Sequence, residues 1–344
     1  MPAEQVRRAA VEPGSSYTAG IVHFGEDETW RDCLASLIEQ SSPPSRIFVI
    51  DHGGRVASDA PAPRMAFDDP CIEWSRAPNR GYPAGANRIL ARSAAICPEA
   101  DFVLVMNPDV HLEKEFAATL IREMNARPDV ALGSGKLLRP GGEVIDSAGI
   151  TMSRSRRFTD RGSEELDDGR FDTTETIFAV SGAAIMLRTA FLPWLAVEGE
   201  IFDEDFFVYH EDTDLAWRAA LLGFTSLYVP EARATHVRGW RRGQRARIAS
   251  KIRRHSFKNR YLEMIKNERP LSFLRDLPFI LPMEVARFGF ALVSDRTLIG
   301  AYREAAGQAR RAWHKRRVIR RNARSSSRRD GRTGSGMQTR GMLD

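Results

Sequence analysis

Asp101-Phe102-Val103-Leu104-Val105-Met106-Asn107-Pro108-Asp109 is the stretch on which the fold turns. Five apolar residues followed by a proline-containing turn predict a short strand buried on both faces, as inside a parallel sheet. In an open α/β sheet, ligands collect beyond the carboxyl ends of the strands, which places Asp109 where a polar ligand or a metal ion sits. Asn107-Pro108-Asp109 also suits a plain turn, because all three residues are ordinary turn formers.

Upstream, residues 17–24 read as a first strand, and Trp30, Cys33, Leu34, Leu37 and Ile38 recur at helical spacing until Ser42-Pro43-Pro44. Residues 46–50 form a second strand ending at Asp51, before a Gly53-Gly54 turn. The unit is βαβ, so its strands are expected to be parallel with a right-handed crossover. After a Pro-rich connection (60–70) and a third strand (72–75) comes Asn79-Arg80-Gly81-Tyr82-Pro83-Ala84-Gly85-Ala86-Asn87, opening a helix on which Ile89, Leu90, Ser93, Ala94 and Cys97 share a face. Glycines at a strand-to-helix turn let backbone N–H groups approach a phosphate. The spacing is not GxGxxG, so no dinucleotide fingerprint is supported. Phe116, Leu120, Ile121 and Met124 mark the helix after Asp109, and the alternation as a whole is that of a doubly wound α/β domain.

Past Val130 the rhythm changes. Residues 144–150 suit a hairpin arm, 153–176 read as a mobile polar loop over the site, and 178–187 are strand-like with small residues in the middle. Residues 202–218 carry an acidic cluster at a helix start, and Leu215, Ala219 and Leu222 form the helical stripe that Gly223 ends. Glu211, Asp212 and Asp214 suit a helix cap. Three carboxylates in four residues exceed what a cap needs and suit acid/base work in a cleft. Residues 225–229 predict a last strand, with a Pro230-Glu231 turn leading to His236; a lone histidine is ordinarily structural or surface-exposed.

The chain has 344 residues and a formal charge of +6, unevenly placed: ten Lys/Arg and no acid from Arg238 to Arg260, and eleven more against Asp330 from Arg310 to Arg332. Such blocks favour anionic partners. Cys33, Cys71 and Cys97 suggest neither a disulfide framework nor a zinc cluster, which fits a reducing cytosol. No apolar leader core stands in residues 1–16, and no apolar run is long enough to cross a bilayer. The expected organisation is a flexible lead (1–16), a catalytic domain (17–240), a helical segment (241–309) and a basic disordered tail (310–344). Residues 271–298, rich in Phe, Leu and Ile but interrupted by Pro278, Pro282, Arg275 and Arg287, suit an amphipathic segment at a membrane interface or a helical appendage on the catalytic domain.

The order of these motifs resembles glycosyltransferase family 2, the inverting nucleotide-sugar transferases of GT-A fold, over residues 17–239. Asp51, the 79–87 stretch, Asn107-Pro108-Asp109, Ser181-Gly182-Ala183, Phe202-Asp203-Glu204-Asp205-Phe206-Phe207, Glu211-Asp212-Thr213-Asp214-Leu215 with Arg218, and His236 follow that family's order. The nearest look is to its rhamnosyltransferase-like branch. The resemblance implies a Rossmann-like, mostly parallel sheet. It implies that Asp51, Asn79, Arg80, Gly81, Gly85, Asn87, Asn107 and Asp109 bind the nucleotide sugar, that Asp109 and His236 hold Mg²⁺ or Mn²⁺, and that Asp212 is the general base with Glu211 beside it. A helix N-terminus is expected to favour the ionised form of that base. The implied function is transfer of a sugar, with dTDP-rhamnose the first choice of donor, to a glycan or polyprenyl-linked acceptor. That reaction would take place in the cytoplasm or on the inner face of the cell membrane, during synthesis of cell-surface polysaccharide. The alternative is a non-catalytic nucleotide-sugar binder or a nucleic-acid-binding protein with a basic tail; no helix-turn-helix or RNA-binding signature accompanies the tail.

Overall fold

The computed structural model describes residues 14–25, 28–53, 69–238 and 248–329. Four parallel strands form one side of the ten-stranded main sheet in the order β3-β2-β1-β4: β1 (Tyr17–His23), β2 (Ile47–Asp51), β3 (Ile72–Arg76) and β4 (Phe102–Met106). The apolar run of the opening stretch alternates across the sheet. Val103 and Val105 join the core under α2 (Tyr82–Ile96), while Phe102, Leu104 and Met106 join the core under α1 (Thr29–Ile38). Two-sided burial is what turns a period-two pattern into a continuous apolar run. Gly20 on β1 has no room for a side chain, since a Cβ there lies 2.4 Å from the Ile89 side chain of α2.

Beyond β4 the sheet turns mixed. After β5 (Val110–Leu112) and α3 (Phe116–Asn125) come β6 (Val130–Leu138), β7 (Ile145–Ser147), β8 (Ile150–Met152), β9 (Phe158–Asp160), β10 (Glu175–Ile177) and β11 (Ala184–Arg188). β11 runs antiparallel to both β4 and β6. A short helical turn, α4 (Leu192–Leu195), precedes α5 (Glu211–Leu222) and β12 (Thr225–His236), which pairs parallel with β6. The last strand therefore does not end at Val229: it passes Pro230 through a register shift between Val229 and Arg233 and continues to His236. Proline has no N–H to donate, and a bulge tolerates it. Gly135 makes the bulge fit, because a Cβ there lies 1.7 Å from the Ala232 carbonyl oxygen.

Residues 153–176 are not a plain loop. They carry β9, paired antiparallel with β8, and the first residues of β10, and Arg156 is buried between Glu268 and Asp276. Three-residue strands are too short to show a period, so the sequence read as irregular.

The C-terminal region is helical: α6 (Ser250–Asn267), α7 (Pro270–Val293) and α8 (Leu298–Arg329). The expected disordered tail starting at 310 is corrected, since α8 runs on to Arg329; residues 330–344 lie outside the described residues. Helix-forming Ala and Arg favour that continuation, and burial fixes it. Ala312, Lys315 and Ile319 are buried, and Lys315 Nζ reaches Asp203 at 2.6 Å and Asp205 at 2.9 Å. On α6, Lys258, Arg260 and Lys266 are likewise buried rather than turned to solvent. No described helix is long and apolar enough to cross a membrane.

Candidate active site

The strands β1, β2, β4, β6 and β12 are mutually parallel, so their carboxyl ends share one edge. Asp51 ends β2, Asp109 follows β4 and His236 ends β12. Strand pairing brings the last two together: β5 runs antiparallel to β12 with Val110 opposite His236, and the Val237 N–H donates to the Asp109 carbonyl at 2.9 Å. His236 Nε2 lies 3.3 Å from Asp109 Oδ1, and its Nδ1 lies 2.8 Å from Asp146 Oδ2. Burial disfavours charge on His236, but the two carboxylates prevail and push it up to about 9. Asp146 is fully buried; burial alone raises its carboxyl, yet His236, Arg238 and Arg139 hold it below the usual range.

Asp51 is buried too. It accepts from the Gly53 N–H at 2.8 Å and from Arg76 Nη2 at 3.2 Å, and faces His23 Nδ1 at 3.3 Å. Against the burial, these partners hold its carboxyl below the ordinary value. Two strand spacings separate β2 from β4, or roughly 10 Å, so Asp51 stands at the far end of the same crevice.

The 79–87 turn departs from the phosphate cradle expected of it. The Gly81 N–H donates to Asn79 Oδ1 at 2.9 Å, the Tyr82 N–H to the Phe207 carbonyl at 2.8 Å and the Gly85 N–H to the Gly81 carbonyl at 3.4 Å, while Pro83 has no N–H. Gly81 has φ 94°, and a Cβ on it lies 2.1 Å from the Phe207 oxygen; a Cβ on Gly85 lies 2.6 Å from Val22. These glycines seat backbone and helix closely and have little left to offer an anion. Asn87 is engaged within the protein: its Nδ2 donates to the Phe202 carbonyl at 2.8 Å, and its Oδ1 accepts from the Ile201 and Phe202 N–H groups at 3.1 and 2.9 Å, which holds the acidic loop. Asn79 and Arg80 remain exposed, Arg80 paired with Glu204 at 3.2 Å. Asn107 is half-buried and ties β4 to the Ser181–Ala183 turn through its N–H, 2.8 Å from the Ala183 carbonyl.

Helix α5 begins after His210, which adopts φ 73°. Asp212 Oδ1 accepts from the Thr213 N–H at 2.8 Å and Oδ2 from the Gly182 N–H at 3.0 Å, leaving a second lone pair on each oxygen. A Cβ on Gly182 lies 3.2 Å from that of Asp212, which accounts for the small residue in the 181–183 turn. Tyr82 closes the arrangement: its hydroxyl donates to the Gly182 carbonyl at 3.0 Å. Burial pushes that hydroxyl well above its usual value, and the charges of Glu211, Asp212 and Asp109 push it further.

Contrary to the expectation of a readily ionised base, burial raises the Asp212 carboxyl, and the Gly182 and Thr213 N–H groups only oppose it. Glu211 is pushed up to about 8, first by burial and then by Asp212. Glu211 Oε2 is buried and has no hydrogen-bond partner. Asp214 is structural: it is fully buried between Arg218 at 3.0 Å, Lys266 at 2.8 Å and Asn267 at 2.7 Å.

Sequence reasoning missed Asp146, Tyr82 and Glu263, the last buried on α6 and 2.8 Å from His210 Nδ1. An aspartate inside the Ile145-Asp146-Ser147 run was the one usable signal. Among the described residues, no set of three or more His, Cys, Asp or Glu side chains is placed to hold a metal ion. Asp109 and His236 stand as a pair, with the imidazole oriented by Asp146.

The model for the family "Glycosyl transferase family 2" matches residues 18–192, just over half of the chain. The chain is 27% identical over 227 residues to an N-acetylglucosaminyl-diphospho-decaprenol L-rhamnosyltransferase of Mycobacterium tuberculosis (strain CDC 1551 / Oshkosh), covering 59% of this chain and 70% of that protein. Its fold is similar to that of S. aureus TarS residues 1–349 in complex with UDP-GlcNAc (TM-score 0.53, 16% identity, 92% of each chain). It is also similar to GalNAc-T7 with UDP, GalNAc and Mn²⁺ (TM-score 0.52, 12% identity, 73% of this chain), of which it spans about half the length, 48%.

Proposed function

The chain belongs to glycosyl transferase family 2, and from that premise we propose that it is an inverting transferase moving a sugar from a nucleotide diphosphate to a hydroxyl of a lipid-linked glycan. dTDP-rhamnose is the first donor to test, and the polyprenyl-diphosphate-linked N-acetylglucosamine named for the mycobacterial relative is the first acceptor. Such an acceptor puts the reaction at the cytoplasmic face of a membrane, in the synthesis of surface polysaccharide.

One observation carries this reading: Asp212 accepts from the Gly182 N–H at 3.0 Å, and the adjoining Ala183 carbonyl takes the Asn107 N–H at 2.8 Å, so the 181–183 turn ties Asp212 to the turn that carries Asp109, 103 positions away in sequence. In the proposed step Asp212 takes the proton of the acceptor hydroxyl. That oxygen bonds to the anomeric carbon as the bond from the carbon to the phosphate oxygen breaks, and the electron pair leaves with the diphosphate. Attack opposite the leaving group inverts the centre.

The donor set at Asp109 fits a divalent ion in part. It offers one hard carboxylate oxygen and one imidazole nitrogen whose other nitrogen is fixed by a buried carboxylate, an arrangement common behind metal-ligating histidines. Diphosphate oxygens would have to complete the shell. Mg²⁺ or Mn²⁺ held there would supply positive charge to the departing diphosphate. Arg238, itself 3.1 Å from Asp160, adds a cation near His236, and exposed Arg80 adds another across the crevice.

A panel of nucleotide sugars offered with the polyprenyl-linked acceptor, with Mg²⁺, Mn²⁺ or a chelator, tests the proposal. Metal-dependent transfer from one donor with inversion at the anomeric carbon is expected. Retention, or binding of every donor without transfer under any metal, sinks it.

A further inference from the structure

Helix α7 is built inside out. Its acids face the protein: Asp276 is buried against Arg154 at 2.9 Å and Arg156 at 3.0 Å, and Glu284 meets Arg260 and Tyr261, each at 2.6 Å. Most of its large apolar side chains face outward, with Ile280 turned in. Nine of the fourteen large hydrophobics exposed among the described residues lie on α7, so the patch belongs to this one element. Leu271, Leu274, Leu281, Val285, Phe288 and Leu292 recur along one side, with Leu271 at 82% exposure and Val285 at 65%. The one exposed charged side chain on the helix is Arg275. At 24 residues the face is about 36 Å long, far more than the scattered apolar side chains a soluble surface normally shows.

Cations rim this face. The Arg154 guanidinium stacks on Phe279 at 3.9 Å, and Arg275 stands exposed on the helix itself. At the amino end of α7 a cavity of about 510 Å³ is lined mostly by apolar groups, Leu221, Leu271 and Ile319 among them, with Arg269, Arg320 and Arg324 also in its lining. An apolar stripe flanked by arginines, with an apolar cavity that also holds three arginines beside its first residue, matches acyl chains under anionic headgroups. A second copy of a chain with the same arginine rim would set like charges against each other.

We propose that α7 lies in the headgroup–acyl boundary of an anionic bilayer, its Leu271–Val293 side immersed and the surrounding arginines on lipid phosphates. The docked face connects directly to the site. Arg154 and Arg156 are pinned to α7 and its preceding turn, and only four residues further on, about 13 Å of extended chain, Asp160 pairs with Arg238 at 3.1 Å, two residues after His236. Resting on the reading of the acceptor as lipid-linked, this docking presents Asp212 to a sugar held at the membrane surface.

The test is co-flotation of the full chain with vesicles of phosphatidylcholine alone or with one-third phosphatidylglycerol. Binding to the anionic vesicles is expected to exceed binding to the neutral ones by about tenfold or more and to weaken in high salt. The triple variant Leu274→Glu, Leu281→Glu, Val285→Glu alters only outward-facing positions. It is expected to lose at least about tenfold in anionic-vesicle binding while keeping the wild-type circular dichroism, and to retain transfer to a short-chain soluble acceptor while losing transfer to one embedded in a bilayer. Equal flotation of wild type and triple variant overturns the proposal. So does light scattering that finds a wild-type dimer which the triple variant dissolves. Flotation without transfer from any donor leaves the docking standing and sinks the functional reading; transfer without flotation does the reverse.

Discussion

Replacing Lys315 by Met tests whether α8 belongs to the folded unit. The Lys315 side chain is 1% exposed, and its ammonium bridges Asp203, Asp205 and Glu200 at 2.6, 2.9 and 3.2 Å. Met matches the stem in volume but removes the charge. Asp203, 4% exposed, is then left with Lys266 as its cation. Breaking a buried pair by removing one partner costs about 3–5 kcal/mol; the surviving Lys266 argues for the lower figure, about 3 kcal/mol. At roughly 2 °C or more per kcal/mol for a chain of this size, Tm falls by about 6 °C. The pH dependence has a definite sign. Despite burial, Lys266 and Lys315 hold the Asp203 carboxyl far below the ordinary range, so its contribution is present above the unfolded value of about 3.9 and vanishes as pH falls through the folded one. Lys315 is raised by the same carboxylates against its own burial, so its share persists until alkaline pH. The gap between wild type and variant is therefore expected to hold from about pH 5 to 9 and to close in acid. Urea unfolding followed by fluorescence across that range measures it. A loss under about 0.5 kcal/mol at pH 7, the size of an ordinary surface substitution, refutes the argument and returns residues 310–329 to the status of a solvated tail.

Asp212→Asn is expected to lower kcat by about 10²–10⁴, or 2.7–5.4 kcal/mol of barrier, with donor affinity nearly unchanged; turnover within tenfold of wild type rejects the base. Glu211→Gln removes a carboxyl whose raised value favours the fold below about pH 4.5 and loses that contribution as pH climbs to about 8. The variant is therefore expected to gain on wild type by up to about 4 kcal/mol between pH 5 and 8, and parallel stability profiles contradict the assignment. Asn87→Ala strips the partners of two N–H groups and a carbonyl in the 201–202 segment, at about 2–3 kcal/mol of stability. Donor affinity is expected to stay within about threefold, under 1 kcal/mol; a larger loss in calorimetric titration restores Asn87 to the binding site. Asp109→Ala is expected to abolish the difference between nucleoside-diphosphate titrations with and without Mg²⁺; an undiminished difference removes Asp109 from the metal site.

Much of the catalytic domain was legible in the sequence because its elements are long and buried on predictable faces. The 102–106 run, the 17–23 strand and the helices after Thr29 and Tyr82 announce themselves by period. The strand-end positions of Asp51 and Asp109 follow from parallel topology. In the 79–87 turn the partners of the Tyr82 N–H and of the Asn87 side chain, Phe207, Ile201 and Phe202, stand more than a hundred positions away, so the local pattern of glycines and asparagines could not show them. α8 misled, since its arginines and lysines resemble a solvated tail until Asp203 and Asp205 are found beneath Lys315.

By itself the sequence determined the alternating α/β order, the rank of its motifs and the carboxylates that end its strands, because hydrophobic period and turn chemistry act over a few residues. Tertiary structure alone decided that Asp146 orients His236, that the 181–183 turn ties Asp212 to the Asn107–Asp109 turn, that burial raises the Glu211 carboxyl, and that α7 turns most of its large apolar side chains outward. Each of these depends on desolvation and on charges brought together by strand pairing and helix packing, and a linear chain does not record which distant groups will share a low-dielectric pocket.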